Sequence, residues 1–148
     1  MAIDPRGADL KRFLAQDPGG PVVMLNLLRY RPDGGREQYL AYVEHFRRTS
    51  APFGAEVLHL GDGSTALVAE PGQEWDAVLL VRFPSRQHFS DMVRDPAYQA
   101  GAHLRTGALT EAVLQATVPW PPFPEPQQPS PEPAARRPGG DVDAVDPC

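Results

Sequence analysis

The run Val22-Val23-Met24-Leu25-Asn26-Leu27-Leu28-Arg29-Tyr30, bounded by Pro21 and Pro32, is apolar on both alternating sides of an extended chain. Strand side chains alternate with a period of two, so Val22, Met24, Asn26, Leu28 and Tyr30 share one side. Val23, Leu25, Leu27 and Arg29 share the other. A strand of this kind is covered on both faces. Asn26 interrupts the first side, and its amide costs roughly 1 to 3 kcal/mol if buried without a partner, comparable to the gain from burying one leucine. Asn26 therefore needs a bonding group. Trp75 to Phe83 is a second strand of the same kind, with Ala77, Leu79, Val81 and Phe83 on one face and Val78, Leu80 and Arg82 on the other.

Outward from these two strands, the chain is punctuated by proline and glycine. Asp4-Pro5 reads as a helix start, with the carboxylate capping free amides, and Leu10, Phe13 and Leu14 form its short apolar stripe. Asp17-Pro18-Gly19-Gly20-Pro21 ends it. After Arg31-Pro32-Asp33-Gly34-Gly35 comes a helix from about Arg36 to Ser50, with Tyr39, Tyr42, Val43 and Phe46 at three-and-four spacing. Ala55 to Leu60 and Thr65 to Ala69 flank Gly61-Asp62-Gly63-Ser64 and read as a hairpin. Pro84-Ser85 opens a helix carrying Phe89, Met92 and Val93, Asp95-Pro96 starts a further turn or short helix through Tyr98, and Ala112 to Val118 is the last strand.

From Pro119 the chain holds more than half of its 18 prolines, which predicts an extended or disordered tail over 119–148 beside one domain over 1–118. Asp141, Asp143 and Asp146 lack the glycine and closing glutamate of a calcium loop. A formal charge of -5 without a basic block argues against nucleic-acid and anionic-membrane partners. The single cysteine, Cys148, excludes an internal disulfide and fits a reducing cytoplasm. No apolar run approaches membrane length. Lys11 is the only lysine, and abundant alanine, glycine and proline fit a GC-rich bacterial genome.

The order strand, helix, strand or hairpin, strand, helix, strand predicts an α+β fold, a ferredoxin-like βαββαβ sheet with an extra N-terminal helix. Two main helices cover one sheet face only, so the doubly apolar strands call for a second copy of the sheet: a homodimer closing into a barrel. Pro21 to Tyr30, Trp75-Asp76, Arg82-Phe83-Pro84-Ser85 and Asp95-Pro96-Ala97-Tyr98-Gln99 followed by Arg105 together resemble the DUF1330 family of the dimeric alpha-beta barrel superfamily. The resemblance spans about Leu10 to Val118. It departs at Phe53-Gly54-Ala55, where a glycine pair is expected, and at Arg82, where an acidic residue is common. The superfamily it implies contains cofactor-free oxygenases, cyclases and isomerases, haem-degrading enzymes and small-ligand binders, and fold does not choose among them.

Asn26 is a neutral donor for a substrate carbonyl or enolate. His103 is suited to moving a proton near neutral pH, and Arg105 to holding an anionic oxygen pair. The two share a face if their segment is extended and diverge if it is helical, and in the absence of a site role Arg105 pairs with Asp95 or a helix end. These three are the candidate catalytic residues. Tyr30, Trp75, Asp76 and Tyr98 are the candidate substrate contacts, whereas Tyr39 and Tyr42 read as core. His45, His59 and His88 fall into no ligand pattern, and no nucleotide or nucleophilic-serine motif is present, so neither a metal nor a cofactor is expected. The expectation is a cofactor-independent enzyme of the cyclase, isomerase or monooxygenase type, acting on a small carbonyl-containing or aromatic molecule by proton transfer and enolate stabilisation. A non-catalytic dimeric ligand-binding or accessory protein is the alternative, and a haem binder a third.

Overall fold

A computed structural model describes residues 3–120. Its elements run α1 (Gly7–Ala15), β1 (Val22–Tyr30), α2 (Gly35–Ser50), a 3-10 turn over Ala51–Phe53, β2 (Glu56–Asp62), β3 (Ala77–Phe83), α3 (Arg86–Arg94), α4 (Pro96–Gln99), α5 (Ala102–Thr106) and β4 (Leu109–Thr117). The sheet is antiparallel throughout, in the order β2-β3-β1-β4. This is the α+β, ferredoxin-like arrangement with an additional N-terminal helix. The compact unit ends at Val118. The tail from 121 to 148, with Asp141, Asp143 and Asp146, lies outside the described residues.

Register explains why β1 and β3 carry two apolar faces. Met24 sits opposite Val81 and Ala116, Asn26 opposite Leu79 and Leu114, and Leu28 opposite Ala77 and Ala112. These residues face the helices, where Val22, Leu28, Ala77, Val81 and Phe83 are almost wholly buried. Full burial of each large side chain contributes about 1.5 to 3 kcal/mol. The opposite face sets Val23, Leu25 and Leu27 beside Leu80, Val78 and Val113. In the single chain that face is only half-buried. The α2 stripe closes over the helix-side face, with Tyr39, Tyr42, Val43 and Phe46 all buried.

Two expectations are corrected. Thr65 to Ala69 is not a strand. Gly61 and Asp62 stay in β2, paired with Val78 and Ala77, so the chain turns later than its glycines suggest. Residues 63–76 form a loop instead, with a neck closed by the Gly63 amide donating to the Asp76 carbonyl at 2.8 Å. Leu67 and Val68, 93% and 96% exposed, stand on that loop. Asp4 does not cap α1, which begins at Gly7 with no side-chain cap. Its carboxylate is used elsewhere. Ser85 and Asp95 do cap α3 and α4, accepting from the amides of His88 and Tyr98. No described helix is long and apolar enough to cross a membrane.

Candidate functional site

A cavity of about 340 Å³ lies between the helix-side face of the sheet and α2 to α5. Its floor is Met24, Asn26, Leu79, Val81 and Leu114, and its roof includes Tyr39, Tyr42, Phe46 and Met92. A dry cavity of about 150 Å³ accommodates benzene, so this one has room for a substituted ring. An adjoining cavity of about 480 Å³ runs under α1. Asp4, Pro5 and Leu10 line both.

The aromatic roof follows from the spacing of α2. Positions 39, 42 and 46 fall on one helical face, and their rings pack in series, Tyr39 to Tyr42 at 5.3 Å and Tyr42 to Phe46 at 6.0 Å between centroids. Tyr98 crosses Tyr42 edge-on, and the two hydroxyls share a hydrogen bond of 2.9 Å. Tyr98 is held in place from behind, since its carbonyl accepts from His45 Nε2 at 2.9 Å. Gly101 permits that approach: a Cβ there would lie 2.5 Å from the His45 ring. The Tyr39 hydroxyl is buried without a partner. Burial pushes the phenols of Tyr39 and Tyr42 above their ordinary range, so both stay neutral donors at physiological pH.

The Tyr98 to Arg105 segment is helical at its end, and His103 and Arg105 therefore diverge. His103 is exposed at the cavity edge. Arg105 turns inward and is only 6% exposed. Its Nη1 donates to the Ile3 carbonyl at 2.7 Å and to Asp4 Oδ1 at 3.3 Å, while Nη2 is buried with no acceptor. Arg105 therefore pairs with Asp4 and not with Asp95. Asn26 is buried, its amide reaching the Met24 and Leu79 carbonyls at 3.5 Å, the outer limit of a hydrogen bond.

Asn26, Tyr98, His103 and Arg105 thus line one cavity, whereas Tyr30, Trp75 and Asp76 do not. Tyr30 is half-buried beside Tyr39, at 5.9 Å between rings. Asp76 accepts from the Tyr30 amide at 2.9 Å, and Trp75 stacks under the Arg29 guanidinium at 4.4 Å. Both belong to the clasp that fixes the 63–76 loop across the end of β1. Tyr39, Tyr42 and Asp4 line the cavity without having been singled out for it. The signal for the tyrosines was present, because a phenol on a core stripe brings a hydroxyl that must go somewhere. Among the described residues, no group of three His, Cys, Asp or Glu is placed to hold a metal.

A family model described as a domain of unknown function (DUF1330) matches residues 34–117, more than half of the chain. No curated protein matches the sequence. Among solved structures, a protein of unknown function from Rhodopseudomonas palustris is 31% identical with a TM-score of 0.75, covering 81% of this chain and 98% of that one. A dimeric ferredoxin-like protein of unknown function from Jannaschia sp. CCS1 is 9% identical with a TM-score of 0.53, covering 67% and 99%. Hydroxynitrile lyase from Passiflora edulis is 16% identical with a TM-score of 0.52, covering 72% and 100%. The last two likenesses are of fold.

Proposed function

The chain belongs to the DUF1330 family, domains of unknown function, so its activity is to be read from its own cavity, and we propose that this cavity turns over a small carbonyl-containing or aromatic molecule without a cofactor. The observation that carries the reading is a buried guanidinium nitrogen, Nη2 of Arg105, left without an acceptor on a residue that lines the 340 Å³ aromatic-walled cavity, with the buried hydroxyl of a second lining residue, Tyr39, also unpartnered. Buried polar groups are almost always paired, and an orphaned pair in one place marks a site for oxygen atoms. The named activity of the Passiflora edulis protein, a lyase on this fold, is compatible with such chemistry.

In the proposed reaction a C–H bond next to a carbonyl breaks and its proton passes to the imidazole of His103. The electron pair moves to the carbonyl oxygen, where Arg105, Asn26 and the Tyr39 hydroxyl stabilise the enolate. Return of the proton to a different carbon gives isomerisation, and attack of the carbanion on an internal electrophile gives cyclisation. Trp75, Asp76 and Tyr30 act on substrate only at second hand, by setting the end of β1. The organisation proposed is a catalytic unit over 1–118 and a separate tail over 119–148. It works in the cytoplasm as a homodimer, with Val23, Leu25, Leu27, Val78, Leu80 and Val113 of each copy covering the other.

The test is hydrogen–deuterium exchange at the α-carbon of a panel of small aromatic ketones and β-keto acids in D2O, followed by NMR. We expect at least one compound to exchange, and His103→Ala to stop the exchange while leaving binding in place. Binding without exchange across the panel supports the second reading, a non-catalytic ligand-binding protein. That reading is favoured by one observation: of the three candidate catalytic residues lining the cavity, His103 is the exposed one, and the two buried phenols of α2 hold their protons.

A further inference from the structure

The Asp4 carboxylate occupies its place poorly. Both of its oxygens accept from the Thr106 hydroxyl, at 3.0 and 3.2 Å, and only Oδ1 reaches Arg105, at 3.3 Å. An arginine facing a carboxylate ordinarily makes two parallel bonds at 2.7 to 2.9 Å. Arg105 makes one long bond to this carboxylate, and its second terminal nitrogen is buried with nothing to donate to. The segment Ile3–Asp4–Pro5 that carries this carboxylate has no regular structure, and Asp4 and Pro5 line both cavities. A charged donor without an acceptor, a weakly held carboxylate on the same guanidinium and an apolar chamber alongside make an arrangement that a second carboxylate would complete.

We propose that Arg105 is the seat of a ligand carboxylate and that Asp4 is an internal stand-in which the ligand displaces. The inference rests on the reading of the cavity as a small-molecule site and names the ligand class: a small monocarboxylate with an aromatic or unsaturated body. The incoming carboxylate takes the Nη1 proton now given to Asp4 and a proton of Nη2, a two-point contact, while Ile3 keeps its own bond. The body of the ligand lies against Met24, Phe46, Phe89 and Met92. Asp4 gives up Thr106 and swings outward into water, since its side chain is already half-exposed. The closed latch lowers ligand affinity by the fraction of molecules it occupies, so loosening it raises affinity.

The experiment titrates the full chain with benzoate and phenylacetate, and with their neutral amides, following chemical shifts by NMR. The acids should bind about tenfold or more tightly than the amides, a difference of the size expected when one charge-assisted pair is gained. Asp4→Asn should tighten the acids and leave the amides unchanged, and Arg105→Met should abolish the preference. Thr106→Val loosens the latch without changing any charge, and a gain of about two- to fivefold for the acids is expected, the worth of one hydrogen bond. That variant separates displacement from simple removal of a nearby negative charge. Equal binding of acids and amides, or no gain in Thr106→Val, overturns the inference and leaves the cavity reading standing. Failure of all four compounds to bind wild type and Asp4→Asn overturns both.

Discussion

Two arginine centres of this protein differ in one respect, whether their donors are satisfied, and that difference separates scaffold from site. Arg29, at the end of β1, has an acceptor for each of its three nitrogens: Glu111 for Nε at 2.9 Å, and the Glu74 and Gly72 carbonyls for Nη1 and Nη2. Trp75 lies against its plane. Arg105 has acceptors for one nitrogen and a buried, unpaired second. A completed network rigidifies what it ties together, and an incomplete one buried in the interior is costly unless something else completes it. The clasp around Arg29 should therefore show its worth in stability, and the group around Arg105 in binding.

The largest effect is expected where the clasp leaves no room. Gly63 donates to the Asp76 carbonyl, and a Cβ at this position would come within 1.9 Å of the Trp75 carbonyl oxygen. Gly63→Ala should force the neck open. Because the obstacle is backbone, the loss should be about 3 kcal/mol or more, at the upper end of the usual cost of overpacking. Urea unfolding should show it as a lower midpoint at unchanged slope. A midpoint within error of wild type would mean that the neck is not part of the scaffold.

Substituting the two arginines sets the comparison directly. Arg29→Ala removes a partly buried ion pair and two bonds to carbonyls, and should cost about 1 to 2 kcal/mol. Arg105→Met removes a buried charge that is only half paired and replaces it with an apolar chain of similar length. Its stability should lie within about 1 kcal/mol of wild type, since exchanging buried polar groups for packed apolar ones is often neutral. Both are read from urea midpoints. If Arg105→Met unfolds as readily as Arg29→Ala, the guanidinium is a structural strut and its free nitrogen an accident of packing.

The sequence carried the frame of this comparison but not its partners. The period of two in Val22 to Tyr30 and Ala77 to Phe83 placed Asn26 on the helix-side face, and the three-and-four spacing of Tyr39, Tyr42 and Phe46 gave the roof. Both are local signals, decided within a few residues. Asp4 read as a helix cap because aspartate before proline is a good one, whereas its real partners, Arg105 and Thr106, stand about a hundred positions away. Pattern cannot rank a local bond against a distant one. The same holds for Trp75 and Asp76, which have the chemistry of a site but spend it on Arg29 and the Tyr30 amide. Thr65 to Ala69 has strand composition, yet Gly61 and Asp62 remain paired with β3, and the ladder takes the residues beyond the neck instead.

The hydroxyls of α2 offer a finer contrast. Tyr42 shares its hydroxyl with Tyr98, and Tyr42→Phe should cost about 1 kcal/mol, because the bond is lost and the Tyr98 hydroxyl is left without its partner. Tyr39 has no such partner, and Tyr39→Phe removes a buried hydroxyl that nothing satisfies. It should therefore raise stability by about 1 kcal/mol, while weakening the binding of any carbonyl ligand. A destabilised Tyr39→Phe would show that this hydroxyl has a bond of its own, and would remove it from the site.

The effect most specific to the roof lies at alkaline pH. Burial raises the folded-state pKa of Tyr39, only partly offset by the Arg105 charge, and burial likewise raises that of Tyr42. The unfolded chain releases these protons near the ordinary value of 10.0. Below that pH both states are protonated and the phenols give no slope. Above it the unfolded state has lost protons that the folded state keeps, so stability falls as pH rises, by up to roughly 1.4 kcal/mol per pH unit for each phenol. Urea midpoints taken from pH 8 to pH 11 should stay level with respect to these groups and then decline. Tyr39→Phe should make the decline shallower, because one of the two retained protons is gone. An identical decline in the variant would place the Tyr39 hydroxyl in contact with water and leave Arg105 alone as the unsatisfied group in the chamber.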